Sequence, residues 1–264
     1  MNQLSSVLQS HQLQWAWLGV ASFLGGTLNA VAGGGSFLVF PALLGMRILP
    51  IQANATNTVA LWPGQITSIV AYRHDLGRNL RLAFPMALAG LLGGTAGAVV
   101  LLNTPQRTFL RLVPWLLLVA ALLFAASGPV TRWLDRRRQR LHADRPPRRA
   151  AIFLCTIVVC FYIGYFGAGA GFLLIAMLSL FGHQDMNEIN ALKVVATTLA
   201  NGIAFLIFTV SGQVVWKYCL VAMATAAVGG YTSARSARRV PQPVLRATVV
   251  FIGLAMAAWF FYRD

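Results

Sequence analysis

The sequence predicts an all-α, polytopic membrane protein of about eight to ten helical segments. We expect these segments to form two repeats of inverted topology that contain broken or re-entrant helices. Three observations support this class: the composition, the long apolar runs and an internal repeat. Of the 264 residues, 58% are hydrophobic and 10% are charged, whereas about 25% of the residues in a soluble domain are charged.

Several apolar runs approach or reach the roughly 18–20 residues that cross the hydrocarbon core of a bilayer. The clearest are 85–102, 113–126 with its flanks, 150–164 and 244–262. Because irregular backbone cannot face lipid, these runs should be helices. The N-terminus has no basic region followed by a cleavage site, so we expect the first helix, from about Gln14, to insert uncleaved.

Basic residues account for the net charge of +15, and they are concentrated between the apolar runs. The segment "TRWLDRRRQRLHADRPPRRA" (131–150) contains eight arginines, and smaller clusters lie at 73–81 and 235–246. The positive-inside rule places such loops on the cytoplasmic side of the membrane, and contact with anionic lipid is a minor addition. The distribution therefore indicates membrane topology, and we expect no nucleic-acid partner.

Other function classes lack their usual residues. The sequence has no His, Cys or carboxylate set with metal-ligand spacing, no phosphate loop and no defensible Ser/His/Asp arrangement. The three cysteines lie in apolar runs, where small packing residues are expected. None of the six acidic residues lies in the middle of a strong span, so a buried carboxylate relay is not evident. We predict a protein that is not an enzyme and uses no cofactor or metal.

The two halves of the chain resemble each other at a nearly constant offset. The matched segments are "AGLLGGTAG" (89–97) with "TAAVGGYTS" (225–233), "TPQ" (104–106) with "VPQ" (240–242), "GGSFL" (34–38) with "GAGFL" (169–173), and "ANATNT" (53–58) with "VVATTL" (194–199). Each match alone is weak, but four in the same order indicate a duplication. The predicted organisation is a first transmembrane repeat (1–130), a basic cytoplasmic linker (131–149) and a second transmembrane repeat (150–264).

Each repeat contains apolar pieces of unequal length. They are roughly 14–31, 35–49, 52–72, 82–102 and 108–130 in the first repeat, and 150–166, 170–182, 188–210, 216–233 and 244–262 in the second. The second and third pieces of each repeat could be full spans, half-helices or re-entrant pairs. With the basic loops inside, the first repeat starts outside and the second starts inside. This inversion is a recurrent plan of secondary transporters, which bind substrate near the midplane.

Glycine-rich breaks occur at matched positions, at Gly33, Gly34 and Gly35 and in "GYFGAGAG" (164–171). A helix follows each break, and its first turn offers unpaired N–H groups and a partial positive charge. Because glycine lets an anion approach such groups closely, the breaks predict an anion site. Close helix packing is the alternative, which we favour for Gly90–Gly97.

Polar residues cluster near both breaks, where hydroxyls and amides could donate to an anion. Gln65 and Asn201 belong to the same clusters. Bonds between helices are the alternative role for each Thr or Asn. Lys193 could balance the charge of an anion or snorkel to the interface. The predicted substrate-binding residues are Asn29, Gly33, Gly34, Gly35, Ser36, Asn54, Thr56, Asn57, Gly167, Gly169, Gly171, Lys193, Thr197 and Thr198.

These motifs resemble the TauE/SafE family of sulfite exporter-like permeases. The resemblance is carried by "NAVAGGGSFLVFPALLG" with "PIQANATNTVAL" in the first half, and by "GYFGAGAGFLLIAML" with "ALKVVATTLANG" in the second. It covers essentially the whole chain. It implies a multi-pass protein of the bacterial inner (plasma) membrane that transports sulfite or an organosulfonate. "TTLAN" in place of the commoner Thr-Ser pair is a departure from the family pattern.

The resulting hypothesis is a secondary transporter that moves a small sulfur-containing anion by alternating access. An anion channel is one alternative. A non-transporting membrane subunit that serves an enzyme of sulfur metabolism is another. The expected partners are the small anionic substrate and membrane lipid, and a homodimer is left open. The particular anion, the direction of transport and the coupling ion do not follow from the sequence.

Overall fold

The computed structural model describes residues 2–32, 34–71, 76–77, 80–141, 149–181, 186–236 and 242–263. These residues are largely helical, and no strand occurs among them. The helices are α1 (Asn2–Ala32), α2 (Ser36–Gly45), α3 (Pro50–Leu61), α4 (Pro63–Ala71), α5 (Leu80–Asn103), α6 (Gln106–Leu141), α7 (Arg149–Tyr165), α8 (Ala170–Leu180), α9 (Met186–Val210), α10 (Trp216–Ser236) and α11 (Gln242–Arg263). The predicted all-α membrane class is confirmed.

Two helices among the described residues are long and apolar enough to cross a bilayer, Leu80–Asn103 and Glu188–Val210. Shorter apolar helices cover Ser36–Gly45, Ala150–Tyr165 and Val250–Tyr262. Helix α5 exposes large apolar side chains such as Phe84, Leu88 and Leu92 along one side. An exposed apolar face of this kind suits contact with lipid.

Two predicted pieces have different bounds in the structure. The apolar piece at 52–72 is divided into α3 and α4, because Trp62 separates them and Pro63 begins the second helix. Proline fixes φ and lacks an N–H, so the first turn of a helix is its favourable place. Helix α6 continues through Leu141 into the predicted basic linker. Arg, Leu and Gln are good helix formers, which accounts for this extension.

Glycines bring the backbone of α5 against two neighbouring helices. A Cβ atom on Gly93 would lie 2.7 Å from the Cβ of Cys160 in α7, and one on Gly90 would lie 2.7 Å from the carbonyl oxygen of Ala196 in α9. One turn further along α5, Gly97 makes an equivalent contact with Phe161 of α7, and Gly94 makes one with Ala200 of α9. The prediction that Gly90–Gly97 serve helix packing is therefore confirmed. Because the contacts advance in the same direction, α5, α7 and α9 run parallel.

The pattern of helix contacts is nearly unchanged when the two halves are exchanged. Helix α5 packs on α7, and its counterpart α10 packs on α1. Likewise α2 packs on α3 as α8 packs on α9, and α6 contacts α8 as α11 contacts α2. The last helices of the halves, α6 and α11, contact each other. A duplication predicts this exchange, while the repeat boundaries and the orientation of each repeat in the membrane remain predictions.

The two short hairpins lie toward opposite ends of α5. Helices α8 and α9 meet near the start of α5, where an apolar cavity of about 50 Å³ is lined in part by Arg81, Ile152, Leu178 and Leu192. The α2–α3 turn lies near the other end, where the Ile51 N–H at the start of α3 donates to Oε1 of Gln106 at 3.0 Å. This placement is the one that an inverted duplication predicts.

Candidate functional site

The first break joins α1 to α2 through closely packed glycines. Gly33 lies outside the described residues, and Gly34 and Gly35 are buried. The carbonyl oxygen of Gly34 accepts a bond from the Phe37 N–H at 3.1 Å. A Cβ atom on Gly35 would lie 2.9 Å from the Cβ of Asn29 and even closer to the carbonyl oxygen of Gly25. Only glycine fits at position 35, because α1 and α2 approach each other backbone to backbone.

The second break, between α7 and α8, depends on backbone conformation. Gly167 and Gly169 have φ values of 76° and 71°, in the left-handed region that favours glycine. The Gly167 N–H donates to the Tyr162 carbonyl at 3.0 Å, which closes α7 as a left-handed C-terminal cap does. The Tyr162 hydroxyl donates to the Ala168 carbonyl at 2.8 Å. The break is therefore a defined turn.

Both short helices begin with a glycine at the N-cap and have no side-chain cap. The aromatic ring of Phe37, in the first turn of α2, reaches the start of α8, since a Cβ on Gly169 would be 3.4 Å from it. Phe37 is fully buried at this contact. The helix starts thus present their positive ends in one region of the molecule, where an anion is favoured.

Two asparagines of α3 connect this helix to both breaks. Nδ2 of Asn57 donates to Oγ of Ser36 at 3.0 Å, at the start of α2. Nδ2 of Asn54, one turn earlier, donates to the Tyr165 carbonyl at 3.1 Å, at the end of α7. Both asparagines are 1% exposed, and Oδ1 of each has no hydrogen-bond partner. A buried polar atom without a partner costs about 1–3 kcal/mol, so a water, an ion or another polar group that contacts these oxygens would be stabilised there.

Lys193 of α9 lies beside the start of α8. Its Cδ would be 3.7 Å from a Cβ on Gly171, and its Nζ donates to Oδ1 of Asn190 at 3.1 Å. Asn190 is neutral, so this bond does not neutralise the ammonium group. In the described part of the chain no carboxylate is paired with Lys193, and a largely buried ammonium without a counter-ion is expensive in a membrane, so an anion at the start of α8 would lower that cost.

The helices α4 and α9 meet through a third group of polar contacts. Nε1 of Trp62 donates to the Thr198 carbonyl at 3.0 Å, and Nδ2 of Asn201 donates to Oε1 of Gln65 at 3.1 Å. Gly202 packs against the Trp62 indole, and a Cβ atom on Gly202 would be 3.1 Å from the ring. A Cβ on Gly167 would lie 3.9 Å from Oδ1 of Asn201, which connects this group to the second break.

The predicted residues occupy several different places. Those at the breaks or in contact with them are Asn29, Gly34, Gly35, Ser36, Asn54, Asn57, Gly167, Gly169, Gly171 and Lys193. Thr198 belongs to the α4–α9 contact, and its Oγ1 donates to the Gln65 carbonyl at 3.5 Å. Thr197 donates to the Val194 carbonyl of its own helix at 3.2 Å. Thr56 faces α10, where its Oγ1 accepts a bond from the Val215 N–H at 3.0 Å.

Three residues at the site were not among the predicted set. Trp62 and Gln65 belong to the α4–α9 contact, and Asn201 joins it to the second break. Gln65 and Asn201 belong to the polar clusters from which the sequence predicted the site, so both could have been included in the predicted set. Trp62 could have been found from the Pro63 that follows it, because proline after an aromatic residue interrupts an apolar run.

Two paired helix breaks with uncapped helix starts in a helical membrane protein are characteristic of the class of membrane transporters. The breaks and their flanking motifs extend through both halves of the chain. The chain belongs to the sulfite exporter TauE/SafE family, whose sequence profile matches residues 18–260.

Curated relatives of similar length carry transporter names. The chain is 29% identical over 250 residues to a probable membrane transporter protein, ORF9, of Sinorhizobium, covering 92% of this chain and 90% of the relative. It is 28% identical over 244 residues to one of Haemophilus influenzae, with 92% and 91% covered. It is 24% identical over 270 residues to YfcA of Escherichia coli K12, with 99% and 95% covered. No solved structure gives a significant match.

Proposed function

We propose that this protein is a secondary transporter that moves a small sulfur-containing anion, sulfite or an organosulfonate, by alternating access. The proposed location is the bacterial inner membrane, which the chain crosses several times. The family description, sulfite exporter, supports the choice of a sulfur oxyanion. No enzymatic step is part of the proposal, and the named relatives are described as membrane transporters.

The observation that carries the proposal is the position of Lys193 beside the uncapped start of α8. The ammonium group, the first-turn N–H groups and the partial positive charge of the helix all favour a negative ligand at one place. The adjacent start of α2 adds a second helix end of the same sign. An oxyanion can accept several of these donors at once, which a neutral ligand cannot do as well.

Alternating access is supported by the packing of the two halves. The hairpins α2–α3 and α8–α9 lie toward opposite ends of α5, and the Phe37 ring that follows the first break contacts Gly169 of the second. A site at such a contact can open to either side when one helix bundle tilts against the other. An anion channel could use the same site, so transport kinetics must separate the two functions.

The test is flux in proteoliposomes that contain the purified protein, measured with sulfite, sulfoacetate and sulfate. We expect saturable flux of sulfite or sulfoacetate. Lys193→Gln should lower this flux roughly tenfold or more, because a charge-assisted contact contributes about 1.5–3 kcal/mol. Lys217→Gln is the matched control, since Nζ of Lys217 lies 5.1 Å from the centre of the Trp15 ring, away from both breaks.

The outcomes separate the proposal from its alternatives. Absence of saturable flux for every small anion would overturn the transporter. Current that grows with voltage and does not saturate would favour an anion channel. Flux that requires a co-purifying protein would favour a subunit of a larger sulfur-metabolising assembly. Equal loss in Lys193→Gln and Lys217→Gln would remove the assigned role of Lys193.

A further inference from the structure

The site contains acceptor oxygens that an anion cannot satisfy. Nδ2 of Asn54 faces the carbonyl oxygen of Tyr165 at 3.1 Å. A carbonyl oxygen only accepts hydrogen bonds, so the amide of Asn54 must direct its nitrogen there. This fixes the orientation of the side chain, and Oδ1 is left buried without a partner.

Asn57 lies one helical turn later and contacts Ser36. Its Nδ2 donates to Oγ of Ser36, and in this orientation its Oδ1 is buried and unpartnered. A serine hydroxyl can donate as well as accept, so this contact does not fix the amide as the Tyr165 carbonyl fixes that of Asn54. Residues three apart on a helix lie on the same face. Asn54 and Asn57 are therefore directed to the same side of α3, toward the ends of the two broken helices.

A backbone oxygen of the second break is close to these side chains, because the carbonyl of Tyr165 accepts from Asn54 at 3.1 Å. Each carbonyl oxygen has two lone pairs, and hydrogen bonding uses one. Amide and backbone oxygens are the ligands of hard cations, and transporters often bind Na⁺ at unwound helix ends.

The geometry points to a Na⁺ site formed by Oδ1 of Asn54 and Oδ1 of Asn57, with the Tyr165 carbonyl at the second break, next to the anion site. The ligand set contains neutral oxygens and no carboxylate, which suits a monovalent cation better than a divalent one. The inference deepens the proposed function and rests on it for the role of the ion, since a bound cation beside the anion would couple their transport.

Electrostatics gives the two ligands a reason to bind together. A cation at α3 and an anion at the starts of α2 and α8 attract each other strongly in a site with little water. Binding of either ion should therefore raise the affinity for the other by the same factor. An anion alone would enter with only Lys193 as a fixed positive charge from the described parts of α8 and α9.

The first experiment measures ion binding to the purified full-length protein by thermal shift. NaCl is titrated against choline chloride at constant ionic strength, first without and then with sulfite or sulfoacetate. We expect a saturable rise in Tm with Na⁺ alone. We also expect the apparent anion affinity to rise about tenfold in Na⁺, within the usual range of such couplings. A Tm that does not distinguish Na⁺ from choline would overturn the cation site.

Two substitutions test the ligands in opposite directions. Asn57→Asp keeps an oxygen that can accept from the Ser36 hydroxyl and adds a negative charge, so Na⁺ affinity should rise and anion affinity should fall. Asn54→Leu removes the oxygen and should abolish the Na⁺ response. Ser179→Ala in α8 is the control, because it removes another buried, unpartnered oxygen at a distance from both breaks.

The result also separates this inference from the proposed function. Saturable anion flux that is indifferent to Na⁺ and follows a pH gradient would overturn the Na⁺ site and leave the transporter intact. Unchanged Na⁺ affinity in Asn57→Asp would also overturn the site, even if Asn54→Leu fails to fold. A Na⁺ response in wild type that Asn57→Asp strengthens and Ser179→Ala preserves would support it.

Discussion

The two helix breaks use glycine for different physical reasons. At the first break, Gly35 has ordinary helical dihedral angles and is required because α1 leaves no room for a side chain. At the second break, Gly167 and Gly169 have left-handed dihedral angles, and Gly169 has ordinary contact distances around it. Matched glycine motifs in the two halves therefore do not imply matched structural roles.

The polar groups around the breaks differ in the same way. The first half supplies neutral amides, Asn54 and Asn57, which are buried and directed at both breaks. The second half supplies an ammonium group, Lys193, beside the start of α8. Two similar halves can thus place unlike polar groups near the breaks, one rich in acceptors and one positively charged.

Gly35→Ala should have the largest effect on stability among the substitutions considered. The added methyl group would meet the backbone of Gly25 and the Cβ of Asn29, neither of which is a flexible side-chain end. Overpacking of this kind costs typically 1–3 kcal/mol, and we expect about 3 kcal/mol here. The measurement is Tm and the yield of folded protein in detergent.

Gly45→Ala provides the control at the other end of α2. No heavy atom lies within 4 Å of a Cβ at position 45, so Tm should stay the same or rise slightly. If Gly35→Ala is as stable as Gly45→Ala, the steric explanation of the first break is wrong.

Gly169→Ala should have an intermediate effect, through backbone strain. A left-handed conformation costs a non-glycine residue about 1–2 kcal/mol. Gly212→Ala should lose a similar amount, since Gly212 has φ 69° in the α9–α10 turn and no contact within 4 Å. Anion flux should fall only in Gly169→Ala, because only this residue adjoins the helix starts. Equal flux in the two variants would contradict a role for the second break.

Trp62→Phe should cost about 1 kcal/mol, because it removes the bond to the Thr198 carbonyl and keeps an aromatic ring next to Phe205. Gly202→Ala should also destabilise, since the new methyl group presses on the indole. A smaller ring leaves room for that methyl group, so the double variant should be more stable than the sum of the single effects predicts. Additive losses in Tm would show that the ring and Gly202 do not interact.

Thr56→Val should have a small effect on stability, about 1 kcal/mol, because the Val215 N–H that loses its acceptor is only partly buried. It removes the acceptor for the Val215 N–H at the start of α10 and touches neither break. Anion flux per folded protein should equal that of wild type. A selective loss of flux without a change in Tm would place Thr56 at the substrate, as the sequence predicted.

The membrane class and the breaks could be predicted because each depends on local chemistry. Composition indicates the membrane, and glycine clusters indicate interrupted helices. The separation of Thr56 from Asn54 and Asn57 was also within reach, because a period of 3.6 residues places position 56 on another face than positions 54 and 57. The sequence-based prediction treated the polar cluster as one group and missed this distinction.

The α4–α9 contact could not be predicted by the same reasoning. Its hydrogen bonds join residues 133 to 136 positions apart, and nothing local specifies that Trp62 meets Thr198. The continuation of α6 through Leu141 was missed for a different reason, since charge was used to assign a loop where helix propensity decides the local structure. Charge indicates the side of the membrane and says little about regular structure.

The glycine contacts of α5 also constrain how the protein can change shape. Gly93 and Gly97 bring its backbone against α7, while Gly90 and Gly94 do the same against α9. Main chain that meets main chain has no rotamers with which to absorb sliding, unlike interfaces formed by long side chains. During a transport cycle α5, α7 and α9 should therefore travel as one rigid body, although they come from both halves of the chain.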